Sequence, residues 1–130
     1  MSGRRYILDT NAIIALLKGH QELLDLLHQA EWMGISIISR LEFLSFPRLT
    51  ESDEILFYEF VKRVDVIELK SSESDLLELI VQIKKQNSLK LPDAIIAATA
   101  LKHRSTLITA DSDFRKVTDL DRYIFRQPVE

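Results

Sequence analysis

The chain is 130 residues long and 46% hydrophobic, enough for one domain with a core of its own and no covalent staples. It has no cysteine, which excludes a disulfide framework, a thiolate zinc site and a cysteine nucleophile, and fits a reducing cytosol. A net charge of -3 argues against coating nucleic acid by phosphate neutralisation, so a nucleic-acid enzyme here must draw positive charge from another source.

In chain order, Met1 to Arg5 carries a basic pair but runs into only a short apolar segment and then Asp9, which is not a signal peptide. Residues 6–8 read as a buried strand ending at Asp9. Helices are expected over 11–17 and 21–31, the second with Leu23, Leu27 and Ala30 at helical spacing. The first of these apolar runs is far below the roughly 18–20 residues of a membrane span. Residues 35–38 form a second predicted strand. Ser39 opens a helix that runs to Phe46, with Pro47 stopping it. An amphipathic helix over 54–63 places Leu56, Phe57, Phe60 and Val61 on one face, and 64–69 alternates like a half-buried strand. A helix over 73–86 carries Leu76, Leu77, Ile80 and Ile83. A further helix over 92–102 has proline first, a favoured position, and its alanines 94, 97, 98 and 100 allow close packing on a sheet. A strand over 106–109, a short helical turn after Asp111 and a last strand over 123–125 complete the chain. The only glycines are Gly3, Gly19 and Gly34, so the glycine-rich phosphate loops are absent.

Alternating strands and helices define an α/β fold with a parallel sheet covered by helices on both faces. Ligands in such folds bind beyond the carboxyl ends of the strands. Four acidic residues are expected at that edge. Asp9 ends the first strand, and Glu42 lies one helical turn past the second. Asp93 is in the first turn of the helix before the fourth strand, and Asp111 follows that strand by two residues. Asp113 is a fifth candidate. Converging carboxylates raise one another's pKa, and a divalent cation resolves the conflict. Oxygen-only ligands point to Mg²⁺ or Mn²⁺ rather than zinc, a choice that suits phosphodiester hydrolysis and supplies the missing positive charge. Each residue also has a plainer reading. Asp9, Thr10 and Asn11 are good helix caps, Ser39 and Glu42 have capping-box spacing, and Asp93 and Asp111 suit helix starts.

At these residues the sequence resembles the PIN-domain family and, within it, the VapC-type toxins. The segments that carry the likeness are Ile7-Leu8-Asp9-Thr10-Asn11, Ser39-Arg40-Leu41-Glu42-Phe43-Leu44, the run from Leu91-Pro92-Asp93 to Ala100, and Leu107-Ile108-Thr109-Ala110-Asp111-Ser112-Asp113-Phe114. The resemblance spans nearly the whole chain, one domain over 1–130, and implies a three-layer fold with a parallel five-stranded sheet. It implies a Mg²⁺- or Mn²⁺-dependent endoribonuclease that cuts RNA, forms a homodimer and is restrained by a cognate antitoxin. The family's acidic positions fall on Asp9, Glu42, Asp93 and Asp111, with Asn11, Thr109 and Asp113 in support. The alternative is a PIN-like module that binds RNA or protein without turnover. A phosphatase of the dehalogenase type is disfavoured, because it needs an acid where Asn11 stands.

His20, His28 and His103 show no ligand spacing and are expected at the surface or in caps. Arg40 and Arg115 flank the acidic edge in sequence as candidate phosphate contacts. Trp32 and Met33 are expected just before the second strand, as packing or dimer surface.

Overall fold

The computed structural model describes residues 4–127, and the expectations for Met1–Gly3 and for 128–130 lie outside it. The strands are β1 (Arg5–Leu8), β2 (Trp32–Ser36), β3 (Asp65–Ile67), β4 (Thr106–Thr109) and β5 (Arg122–Ile124). They form one five-stranded sheet in the order β3-β2-β1-β4-β5, and every pairing is parallel. The helices are α1 (Thr10–Leu17), α2 (Gln21–His28), α3 (Ile37–Leu44), α4 (Glu51–Val61), α5 (Ser74–Asn87) and α6 (Leu91–Lys102).

Strand pleating divides the core into two layers. Ile7 and Leu107 project to one face, where they meet Leu76, Ile80 and Ile83 of α5 and the apolar residues of α6. Tyr6, Leu8, Ile35 and Ile108 project to the other, against Ala12 and Ile13 of α1, Leu23 and Leu27 of α2, and Phe57 and Phe60 of α4. The result is the expected three-layer α/β fold. Helix α6 is buried from Ala94 to Ala100, which its small side chains permit. A larger residue there would overpack a filled layer at a cost of about 1–3 kcal/mol.

Several predicted boundaries move, each for a local reason. The second strand runs from Trp32 to Ser36, so Trp32 and Met33 lie inside it and Ile37 and Ile38 belong to α3. The cap is Ser36, whose hydroxyl oxygen accepts from the Ile38 N–H at 3.1 Å. The run of isoleucines concealed that switch. Ser39 therefore caps nothing, and its buried hydroxyl has no hydrogen-bond partner among the described residues. Helix α4 starts at Glu51 rather than 54, because Thr50 and Asp53 form a reciprocal capping box. Helix α2 ends at His28 rather than 31, and Pro92 is the second residue of α6 rather than the first.

The strand order reverses direction beside β1, whose neighbours are β2 and β4. A crevice at such a switch point opens at the carboxyl ends of the strands. Asp9 and Thr109 stand on its two sides.

Candidate active site

Asp9 leaves β1 while its N–H still bonds to the Ile108 carbonyl at 3.0 Å, so its side chain emerges beside the end of β4. It is only 6% exposed. One carboxylate oxygen, Oδ1, accepts from the Thr10 N–H at 2.8 Å and so caps α1. The other, Oδ2, accepts from the Thr109 hydroxyl at 2.8 Å and from Asn11 Nδ2 at 3.3 Å. Asn11 Oδ1 in turn accepts from the Ala110 N–H at 3.0 Å, and Thr109 Oγ1 from the Asp111 N–H at 3.0 Å. These bonds stitch the loop after β1 to the loop after β4. The supporting places expected for Asn11 and Thr109 are thus bonds to Asp9 itself.

The other acids approach from separate elements. Glu42 is exposed on the second turn of α3, and its Oε1 accepts from the Thr10 hydroxyl at 2.6 Å. This replaces the expected capping box from Ser39. Asp93 is half-buried in the first turn of α6. Asp111 caps the short helical turn Ser112–Lys116 by accepting from the Asp113 N–H at 2.9 Å. The plain capping reading therefore holds for Asp9 and Asp111, and it fails for Glu42.

Electrostatics join these residues. Burial, reinforced by the charges of Asp93 and Glu42, pushes the Asp9 carboxyl up to about 6 despite its hydrogen bonds from Thr109 and Thr10. Asp93 is raised as well, first by burial and then by Asp111, Glu42 and Asp113, while Lys90 acts in the opposite sense. Among the described residues, none of the four acids has a Lys or Arg nitrogen within 4.0 Å. Neither Arg40 nor Arg115 forms such a pair among the described residues.

The donor set, carboxylates with hydroxyl and amide support, suits a hard divalent cation. Among the described residues, however, no three Asp, Glu or His side chains are gathered closely enough, as they stand, to hold one metal ion. The carboxylates share an edge and one another's field without converging on a point. That arrangement is the one repulsion favours without a cation.

The residue that sequence reasoning passed over is Thr10. It was read only as a possible cap, yet it bonds to two of the acids. A mainly apolar groove of ≈ 470 Å³ lies between α1, α3 and α4, lined by Ile14, Leu17, Phe43, Phe46, Leu49 and Leu56, with Lys18, Arg48 and Asp53 also on its wall. The histidines stay clear of the acids. His20 caps α2 by accepting from the Leu23 N–H at 3.4 Å, and His103 stacks on Trp32.

A family model described as the PIN domain matches residues 6–120. Among solved structures, a toxin–antitoxin complex from Klebsiella pneumoniae is 29% identical, with 92% of this chain and 99% of that chain covered at a TM-score of 0.75. VapBC2 from Rickettsia felis, bound to a promoter DNA fragment, is 22% identical over 92% of this chain and 98% of that chain, with a TM-score of 0.74. VapBC-1 from nontypeable Haemophilus influenzae is 24% identical over 92% and 97%, with a TM-score of 0.73. The latter two likenesses bear on the fold alone. No curated protein matches the sequence. With the family's model covering β1 from Tyr6 through β4 and every acid of the edge, this chain belongs to the PIN-domain family.

Proposed function

We propose that the protein is a divalent-cation-dependent endoribonuclease of the VapC type, the toxin of a toxin–antitoxin pair, acting as a homodimer in the cytoplasm. One observation carries the reading. Asp9 is a buried carboxylate within the field of Asp93 and Glu42, and no Lys or Arg lies within ion-pair distance of it among the described residues. Such a group is costly unless a cation or a proton relieves it.

Asp9, Glu42, Asp93 and Asp111 would hold Mg²⁺ or Mn²⁺ once drawn closer together than they stand. When bound, that cation supplies the positive charge for hydrolysis of a phosphodiester by water. Thr109 and Asn11 orient Asp9 through its Oδ2, and Asp113 adds negative charge at the rim. The groove between α1, α3 and α4 supports a protein partner, because an exposed apolar surface is normally covered by one. The 29% identical relative is itself a toxin–antitoxin complex, which supports an antitoxin as that partner.

The test is cleavage of mixed RNA by purified protein in Mg²⁺ or Mn²⁺, with an EDTA control. Wild type should cut, and neither wild type in EDTA nor the Asp9→Asn variant should. Cleavage that survives EDTA overturns the reading. A second reading, a PIN-like module that binds RNA or protein without turnover, is favoured by the lack of a gathered metal site among the described residues. It predicts binding without cleavage under all these conditions.

A further inference from the structure

We infer that Thr10 is a positioning residue, a hydroxyl that fixes Glu42 relative to Asp9 so that both carboxylates face one cation. The inference rests on the nuclease reading above. Its basis is a pair of bonds made by a single residue. The Thr10 N–H donates to Asp9 Oδ1 at 2.8 Å, and the Thr10 hydroxyl donates to Glu42 Oε1 at 2.6 Å. Thr10 itself is buried in the first turn of α1.

The chemistry explains why such a device is needed. Glu42 sits on the exposed side of α3 at the end of three rotatable bonds, and Asp9 repels it. An unheld glutamate in that position would turn away into water. An O–H donor facing a carboxylate forms a short charge-assisted bond, and 2.6 Å lies in that range. A carboxylate has two oxygens, so binding Oε1 leaves Oε2 free to act as a ligand. The Thr10 hydroxyl thus holds one oxygen in place without consuming the other. Because its N–H also holds Asp9, the spacing of the two acids is set within one residue.

Outer partners that orient metal ligands typically carry 10–100-fold in affinity or activity. Thr10→Val keeps the shape and removes the donor, and Thr10→Ser restores it. The probe is Mn²⁺ alone, titrated calorimetrically into the whole protein, with thermal melting in EDTA as the folding control. Thr10→Val should weaken Mn²⁺ binding by roughly tenfold or more while its EDTA melt stays near wild type, and Thr10→Ser should recover most of the loss. In a Glu42→Gln background, Thr10→Val should add little further loss, because the two residues act through one bond. Should Thr10→Val fail to fold, the contrast between Thr10→Ser and Thr10→Ala carries the same comparison.

Two results overturn the assignment. One is equal Mn²⁺ affinity in Thr10→Val and wild type. The other is a full additional loss in the Glu42→Gln background, which marks Thr10 as acting elsewhere. In both, wild type still binds Mn²⁺ and cuts RNA, so the nuclease reading stands. If wild type binds neither Mn²⁺ nor Mg²⁺ and cuts no RNA, the nuclease reading falls and this inference falls with it.

Discussion

The two ends of the sheet handle charge in opposite ways. At the amino ends of the strands, polar groups are matched. Arg5 donates through Nε and Nη2 to the His103 carbonyl at 3.2 and 3.0 Å, and its guanidinium lies 4.4 Å from the centre of the Trp32 ring. Trp32 stacks on His103 and donates from Nε1 to Asp65 at 2.7 Å. The indole also lies across Gly34, where a Cβ would come within 2.7 Å of it. At the carboxyl ends, by contrast, carboxylates crowd together with no Lys or Arg paired to them among the described residues. One end closes the core. The other retains electrostatic strain, as sites built to receive a ligand or substrate commonly do.

Substitutions should separate the two ends. The largest expected effect is on activity at the acidic end. Asp9→Asn should reduce metal-dependent RNA cleavage by at least ~100-fold with the fold intact, since asparagine still caps α1. Circular dichroism beside a gel-based cleavage assay checks both halves. Next comes a stability effect at the opposite end. Trp32→Ala should cost about 2–3 kcal/mol in denaturant unfolding, less than a fully buried tryptophan because Trp32 is only partly covered, and it should leave Mn²⁺ affinity unchanged. A loss of Mn²⁺ binding in Trp32→Ala would mean that the two ends are not independent.

This division also marks what could be read in the sequence. The order of elements was legible because strands and helices keep distinct hydrophobic periods. Asp9, Asp93 and Asp111 stood out as candidates because each sits next to a strand end or a helix start, whereas Glu42 lies six residues past the end of β2. The boundary between β2 and α3 was not, because Ile35-Ser36-Ile37-Ile38 is apolar on both sides and a single hydroxyl decides where the helix begins. The partner of Glu42 was hidden for a different reason. Local spacing offered Ser39 three residues away, whereas the bond runs to Thr10, 32 residues distant. Capping boxes are visible in sequence, but bonds between separate helices require the topology. The matched amino-terminal end was equally hidden, since Arg5, Trp32, Asp65 and His103 meet only once β1, β2 and β3 pair and α6 ends beside them.

The smallest expected effect has the most telling sign. The folded-state pKa of Asp9, about 6, lies above the ordinary aspartate value of 3.8, so the folded protein binds a proton more tightly than the unfolded chain does. Below about pH 4 the group is protonated in both states and costs nothing. Between about pH 4 and 6 the metal-free protein should lose stability as pH rises, and above 6 the full penalty, on the order of 3 kcal/mol, applies. Asp93 shifts in the same direction and adds to the slope. Asp9→Asn removes the charge but turns an amide toward donors that had faced a carboxylate, so only part of the penalty should be recovered. In EDTA at pH 8 the variant should be about 1–2 kcal/mol more stable than wild type, and the gain should vanish below pH 4. Saturating Mg²⁺ or Mn²⁺ should reverse the order at pH 8, because the cation stabilises only the protein that binds it. Urea unfolding at both pH values, with and without cation, gives the comparison. A variant less stable than wild type in EDTA at pH 8 would show Asp9 to be a structural group like the matched contacts at the opposite end, and the contrast between the two ends would be lost.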